Sequence, residues 1–451
     1  MAATLGTVTT SEVQSGNIGF YLKQFYATAI ANQLNNEVLA LQHFEKVKLA
    51  WSGKYVIVPI RLGRNSGVGF AAESNNVPGA GNQVGAQLLV EARFLYGRLR
   101  ITGPAMAAAE KGGVGSFVAS LNDEMVELIN DVKNQANQTV FSGGRVIGFL
   151  NQHSASSTAD REGGRYWEFS GDEVKATRLE NDATGSGATV AIRRLDTYAT
   201  LVGGSVQILS ASTRGTVQLG PVLDTTPLTG GFACSIELVD AQATLSGSLS
   251  EEPSGIFDNL FRQSLFGIDK STDANANFRS TALTVATSGD HDRATLSQDR
   301  IEAVLNRIQE QSGETPDIIF MNPLLRQEYT SIGLGGGGIN LNVASDGSQK
   351  VMDVGGALTI EYLGIPIKLS RHCPKGMMVF LNSKTWKLAE LKAGAFANET
   401  GANLTQVTNI DAYEGIYKWY FNIYCERPNA NGVLVGIDYV GAAKVTTGAL
   451  P

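Results

Sequence analysis

Cysteine is scarce in this chain: Cys234, Cys373 and Cys425 are the three among 451 residues. Thiols so few and so far apart do not make a disulfide framework, and they fit a reducing compartment. Histidine is nearly as thin, with His43, His153, His291 and His372 spread along the chain. No two of them share a metal-ligand spacing. The adjacent His372-Cys373 would not converge on one ion, and no second pair exists to complete a tetrahedral site. Long hydrophobic runs are missing too, since none approaches the roughly 20 residues of a membrane helix. The opening stretch MAATLGTVTTSEVQSG has neither the basic nor the apolar part of a signal peptide. Positive charge is also in short supply. A net charge of −7 excludes a surface that is a nucleic-acid footprint throughout.

The signatures of catalysis are absent as well. Gly67-x-Gly69-x-x-Ala72 looks like a dinucleotide fingerprint, but Glu73-Ser-Asn-Asn-Val-Pro78 follows it, so no helix N-terminus is there to face a phosphate. Gly335–Gly338 lacks the Lys-Ser/Thr of a phosphate loop and reads as a flexible loop. There is no G-x-S-x-G elbow. The acidic pair Glu251-Glu252 sits beside Pro253 and reads as a solvated linker. The sequence therefore assigns no catalytic, cofactor-binding or metal-binding residue.

Glycine, by contrast, is plentiful at 51 residues, which favours sheets and loops over a helical bundle. The length calls for roughly two to four folding units. Residues 1–45 begin as a polar arm and turn helical, with Phe25, Ala29, Ile30, Leu34, Val38 and Leu41 near a 3.6 spacing. Residues 46–104 form a Gly-rich, Arg-studded ribbon: a strand at 54–62, a tip at 63–85 and a returning strand at 87–101. The ribbon carries almost no core of its own. A lone hairpin is marginal in water and an open edge invites another chain, so a ribbon folded back on its own domain and one reaching a neighbour are both open here.

A long amphipathic helix is expected at 116–140, with Ser116 as N-cap and Phe117, Leu121, Met125, Leu128, Val132 and Ala136 on one stripe. Residues 161–255 have the cadence of a small antiparallel sandwich or barrel, an inserted module. Beyond Pro253 the pattern is mixed. It holds a helix around Ile301–Ile308 with a Thr295-x-x-Gln298 capping box and Gly313 after its end, then a buried strand at 317–321 and Asn322-Pro323 opening the next turn of helix. Strands at 358–362, 365–369 and 377–381 follow, and two long runs, 416–425 and 432–440, close the chain.

Charge is unevenly placed. The ribbon segment carries Lys46, Lys48, Lys54, Arg61, Arg64, Arg93, Arg98 and Arg100 against Glu73 and Glu91. The helix carries Asp123, Glu124, Glu127 and Asp131 against Lys133. Two solvated faces would look the same. The sharper expectation is that the ribbon of one copy lies over the helix of another. Its contact residues would be Lys54, Arg61, Arg64, Glu73, Arg93, Arg98 and Arg100 on the ribbon and Asp123, Glu124, Glu127 and Asp131 on the helix.

The order of parts resembles the major capsid proteins of tailed phages, which have the Hong Kong 97-like fold. Thr315-Pro-Asp-Ile-Ile-Phe-Met-Asn-Pro323 is similar to the strand–helix element of that family's axial domain, and Tyr362-Leu-Gly-Ile-Pro-Ile-Lys-Leu-Ser370 to its Gly-x-Pro strand pair. Tyr420-Phe-Asn-Ile-Tyr-Cys-Glu-Arg-Pro428 with Gly432–Ile437 resembles its closing strands, and Gly255-Ile-Phe-Asp-Asn-Leu260 is also typical. No single motif is specific; their order carries the resemblance, which covers the chain apart from 161–255. It implies an α+β capsid fold: an N-terminal arm (1–45), an extended loop (46–104), a peripheral domain with a spine helix (105–160, 256–289 and 396–451), an axial domain (290–395) and an inserted β-rich module (161–255).

The resemblance further implies a non-enzymatic protein without cofactor. It would assemble with itself into hexamers and pentamers of an icosahedral virion shell, built in the host cytoplasm around double-stranded DNA that it does not read by sequence. Portal, scaffold and cement or decoration proteins would be its partners, and no membrane would be involved. Some members begin with a scaffolding segment; this chain begins with the arm, so the expectation is a separate scaffold, or none. Some members cross-link a ribbon lysine. Lys54, at the ribbon's base, offers no basis for assigning such a bond; cross-linking stays open, and strength is expected from non-covalent overlap and cement proteins. A cellular nanocompartment shell of the encapsulin kind is the alternative within this fold, and a mixed α/β enzyme or binding protein the alternative outside it.

Overall fold

The computed structural model describes residues 40–47, 51–71, 78–103, 114–153, 165–171, 176, 189–212, 216–220, 234–238, 251–285, 294–329, 360–397, 405–407 and 410–439. They fall into two compact units, a smaller one drawn from 94–136 and 392–420 and a larger one drawn from the rest. The N-terminal arm, Lys48, Glu73, His291 and the Gly335–Gly338 stretch lie outside the described residues.

In the larger unit, β1 (Glu45–Val47) precedes a two-stranded ribbon of β2 (Tyr55–Gly63) and β3 (Val84–Glu91). Antiparallel register sets Val56 opposite Val90, Val58 opposite Leu88 and Ile57 opposite Leu89. Strand alternation therefore sends Val56, Val58, Leu88 and Val90 to one face and Ile57 and Leu89 to the other. The run expected as one returning strand at 87–101 breaks at Ala92. Beyond it β4 (Arg93–Thr102) leaves the ribbon and pairs with a strand near the C-terminus. The helix α1 (Val114–Ser142) is 29 residues long and extends two residues past the expected span at each end. Gly143 follows it, and any Cβ there would lie 2.3 Å from the Pro253 carbonyl oxygen.

Six strands then close a barrel: β5 (Val146–His153), β6 (Arg165–Gly171), β7 (Thr189–Arg194), β8 (Thr200–Ser212), β9 (Thr216–Gly220) and β10 (Cys234–Leu238), in the order β10-β5-β6-β9-β8-β7. The first stave starts at Val146, ahead of the expected 161 boundary. Closure leaves no open edge. Ile147, Phe169, Val190, Ile192, Val206, Ile208, Val217 and Ile236 pack into one buried core cluster. The barrel rests on α2 (Ile256–Phe261), where Phe149 meets Phe257 and Phe261 edge-on at 5.2 and 5.3 Å. Tyr198, buried in a left-handed backbone conformation, donates its hydroxyl to the Leu260 carbonyl at 2.7 Å.

A short hairpin, β11 (Ser264–Leu265) and β12 (Ile268–Asp269), leads to β13 (Thr281–Thr284) and to α3 (Gln298–Ser312). The N-cap of α3 is Ser297, and neither it nor Thr295 makes the expected capping box. Gly313 does terminate the helix in the left-handed conformation, φ 72°. Next come β14 (Ile318–Met321), β15 (Ile360–Tyr362), β16 (Ile365–Leu369) and β17 (Met377–Leu381), then β18 (Trp386–Phe396), β19 (Thr405–Gln406), β20 (Ala412–Cys425) and β21 (Gly432–Val435). A six-stranded sheet has the order β13-β21-β17-β14-β16-β15. Ile301, Val304, Leu305 and Ile308 of α3 pack on Ile319, Met321, Phe380 and Leu434 of that sheet. Each such buried side chain contributes about 1.5–3 kcal/mol as an upper bound. After β14, Asn322 caps the turn Pro323–Leu325 by accepting the Leu324 N–H at 3.1 Å.

In the smaller unit, β4 and β19 pair with β20. Gly97, Leu99 and Ile101 of β4 point inward and are buried. A Cβ on Gly97 would stand 2.7 Å from Val132 Cγ2 and 3.2 Å from Leu128 Cδ1, so α1 lies directly on that face and only glycine fits.

Candidate intersubunit surface

The ribbon has a core after all, which corrects the expectation that it had almost none. Its inward face, Val56, Val58, Leu62, Leu88 and Val90, packs on Ile268, Phe278, Ala389 and Tyr424 of the same unit. Three hydrogen bonds outside the ladder hold it there. Asn277 Nδ2 donates to the Leu62 carbonyl at 2.8 Å, Asn422 Nδ2 to the Glu91 carbonyl at 2.7 Å, and the Leu89 N–H to the Phe266 carbonyl at 3.0 Å. These partners come from four distant stretches of chain, so a local reading could not supply them.

The outward face stays uncovered. Tyr55, Ile57 and Leu89 are exposed on it, with Ile57 and Leu89 at 49% and 45%. The tip adds Val68 and Phe70, both fully open to solvent. Its two limbs approach backbone to backbone: a Cβ on Gly67 would stand 2.6 Å from the Gly81 nitrogen, and Asn65 Oδ1 accepts the Gly67 N–H at 2.7 Å. The described limbs of the tip thus present Val68 and Phe70 to water.

Several cations of the ribbon segment are already paired within the chain. Lys46 pairs with Glu390 at 3.3 Å, Lys54 with Glu91 at 2.7 Å, and Arg93 with Glu251 at 2.7 Å and Glu91 at 3.6 Å. Glu251 is therefore an ion-pair partner and not only a solvated linker residue. Arg98 and Arg100 are not ribbon residues, because they lie on β4. There they converge on Glu414, at 2.7 and 3.9 Å. The Arg98 guanidinium holds the Glu414 carboxyl below the usual range. Arg61 and Arg64 remain exposed on the ribbon, with no ion pair among the described residues.

On α1, Glu124, Glu127 and Asp131 recur at helical spacing, and Asp123 lies among residues whose side chains are not described. Burial raises the Glu124 pKa, and the neighbouring charges of Asp131 and Glu127 add to the effect. Glu124 and Glu127 are half-buried there and Asp131 is exposed.

The sequence reading missed an aromatic cluster on the sheet face turned away from α1. Phe94 and Tyr420 meet edge-on at 4.9 Å, Tyr96 and Tyr420 at 5.8 Å, and Lys392 Nζ stands 5.9 Å from the Tyr420 ring centre. The signal was there in the alternation Phe94-x-Tyr96-x-Arg98-x-Arg100. Among the described residues, no group of three His, Cys, Asp or Glu side chains could hold a metal ion, and no helix is long and apolar enough to cross a membrane.

No known family and no curated protein matches the chain by sequence. Solved structures do match it. The capsid asymmetric unit of cyanophage A-1(L) aligns over 91% of this chain and 96% of its own, with TM-score 0.53 and 11% identity. The chain has the Hong Kong 97-like capsid fold. The capsid of a native GTA particle aligns over 96% of this chain and 100% of its own, with TM-score 0.47 and 8% identity. An encapsulin complex from Synechococcus elongatus aligns over 44% of this chain and 60% of its own, with TM-score 0.27 and 12% identity. The assignment of fold rests on the first of these.

Proposed function

We propose that this chain is the major capsid protein of a tailed double-stranded DNA bacteriophage, a structural protein that assembles with itself into the icosahedral head shell. The observation that carries the reading is a capsid fold shared over nine-tenths of the chain, whose extended ribbon is apolar on the face its own subunit leaves open. Hexamers and pentamers would supply the partner for that face, each contact being closed by symmetry.

In this reading the ribbon's outward residues Tyr55, Ile57, Leu89, Val68 and Phe70, with Arg61 and Arg64, lie on the α1 row Glu124, Glu127 and Asp131 of a neighbouring copy. Lys54, Glu73, Arg93, Arg98, Arg100 and Asp123 border the same contact. Several modest contacts repeated over many copies give a shell its strength without any one being tight. DNA is enclosed without sequence-specific binding, in keeping with the net charge of −7. Portal, scaffold and decoration proteins complete the particle, which is built in the host cytoplasm.

Electron microscopy of the expressed full chain tests the proposal. Shells, tubes or capsomers are expected. A well-dispersed monomer at every concentration, in micrographs and in size-exclusion chromatography, would count against it.

A further inference from the structure

Among the described residues, three that are not glycine have a positive φ: Tyr198 at 61°, Phe266 at 52° and Leu363 at 49°. This conformation is unfavourable for bulky side chains and is retained only where the surroundings compensate. Two of the three are compensated within the chain. Tyr198 is fully buried and its hydroxyl reaches the Leu260 carbonyl. Phe266 packs its ring against the ribbon core, and its carbonyl accepts the Leu89 N–H.

Leu363 has no such return. It shares its geometry with Phe266: each is the first residue of a two-residue hairpin turn with glycine second, Phe266-Gly267 and Leu363-Gly364, and Gly364 has φ 79°. Turns with positive φ at both central positions favour Asn-Gly or Asp-Gly. Leu363 is instead apolar, 73% exposed and part of no apolar cluster among the described residues. A Cβ on Gly364 would meet nothing within 4 Å, so the turn stands open. An exposed leucine alone needs no explanation, nor does one left-handed residue. Here one residue carries both penalties, on the hairpin β15–β16 at the end of the six-stranded sheet.

We propose that the Leu363-Gly364 turn is an intersubunit contact, in which a second copy of this chain covers Leu363. The inference rests on the shell reading above. A single turn covers far less than the roughly 1,200 Å² that a free-standing complex buries, so it works only beside other contacts. A second copy in an assembly brings those; a separate soluble partner docking on this turn does not. The chain already leaves a second apolar surface open for such an assembly, at Ile57 and Leu89 of the ribbon.

The test uses the full chain as wild type, Leu363→Asn and Leu363→Met. Asparagine suits the turn, so dispersed L363N subunits should unfold about 1–2 °C higher than wild type. The same variant should need about tenfold more protein to form particles, since the buried leucine side chain is gone. L363M keeps an apolar side chain and should assemble like wild type. Opposite signs for subunit stability and assembly support the inference. L363N that assembles like wild type overturns it, as does L363N that lowers subunit stability, which would place the leucine's role within the chain. Wild type that forms no particle at all overturns the shell reading and this inference together.

Discussion

Asn422 and Glu91 are joined by a 2.7 Å hydrogen bond from the Asn422 amide to the Glu91 carbonyl, at the root of the ribbon. The same buried side chain accepts the backbone N–H groups of Ser254 at 2.9 Å and Ile423 at 2.8 Å. One amide therefore satisfies three backbone groups in three segments. Replacing it with alanine strands them, which costs about 1–3 kcal/mol for a buried group. Asn422→Asp keeps the shape but sets a carboxylate against the Glu91 carbonyl, so it should be the more destabilising of the two. Urea unfolding of both variants checks the order; an N422D as stable as N422A would mean that the bond does not anchor the ribbon.

The two faces of the ribbon should respond differently to polar substitution. Val58→Asn places an amide in the core formed with Ile268 and Tyr424 and should lower subunit stability by about 2–4 kcal/mol. Ile57→Asn changes an exposed residue and should alter subunit stability by less than about 0.5–1 kcal/mol while abolishing particles. Thermal unfolding of dispersed subunits and sedimentation of particles separate the two effects. Particles from I57N at wild-type yield would remove the ribbon's outward face from the interface.

The charge contact has its own test. Reversing Arg61 and Arg64 to Glu should suppress assembly, and reversing Glu124 and Asp131 to Lys in the same chain should restore it. The rescue should weaken as salt rises toward 1 M, where screening shortens the reach of exposed charges to about 3 Å. Light scattering on mixing gives the rates. If the double reversal assembles no better than R61E/R64E, the α1 row is not the partner.

Much of the architecture could be read from local pattern. The alternation at 54–62, the helix α1, the Asn322-Pro323 cap and Gly313 all act within a few residues, and they appear where the sequence put them. The ribbon's true partners could not be read this way. Phe278, Ala389 and Tyr424 are remote in sequence, and the switch of pairing at Ala92 depends on β20, which lies at the other end of the chain. The same holds for charge. A local count of Arg and Lys cannot see Glu251 or Glu414, which neutralise Arg93 and Arg98 across the fold. The barrel's first stave, Val146–His153, joins the others through its pairing with β6 and β10, which a local reading does not see.

Burial leaves a pH signature. Lys270 is fully buried, its Nζ donating to the carbonyls of Asn259 and Leu260 and standing 5.6 Å from the ring centres of Tyr198 and Phe278. Burial brings its pKa down to about 7 from 10.5. Above pH 7 the unfolded chain then binds more protons than the folded one, so this group makes stability rise with pH. Cys234 and Cys425 act in the opposite sense, because burial pushes both thiols up to about 12 from 9.0. Between pH 9 and 12 the folded chain holds protons that the unfolded one has lost, and stability falls. The urea midpoint should therefore climb from pH 7 to 9 and turn over above that. Lys270→Met should flatten the climb whatever it does to the midpoint itself. A slope unchanged by K270M would assign the effect to other groups.

The fit of α1 on its sheet is a sensitive packing point in the smaller unit. At Gly97 of β4 the helix passes so closely that even a methyl group would stand 2.7 Å from Val132. Gly97→Ala should therefore destabilise by about 1–3 kcal/mol through overpacking, beyond any effect on backbone freedom. Val132→Ala removes the atoms in the way, at its own cost of a buried side chain. If steric contact is the cause, the double variant should be more stable than the sum of the single losses predicts, by at least about 0.5 kcal/mol. Strict additivity in a double-mutant cycle would show instead that the glycine is needed for strand conformation. Because α1 carries the carboxylate row proposed to receive a neighbour's ribbon, G97A should also lower particle yield, and V132A in the same chain should recover it in step with stability.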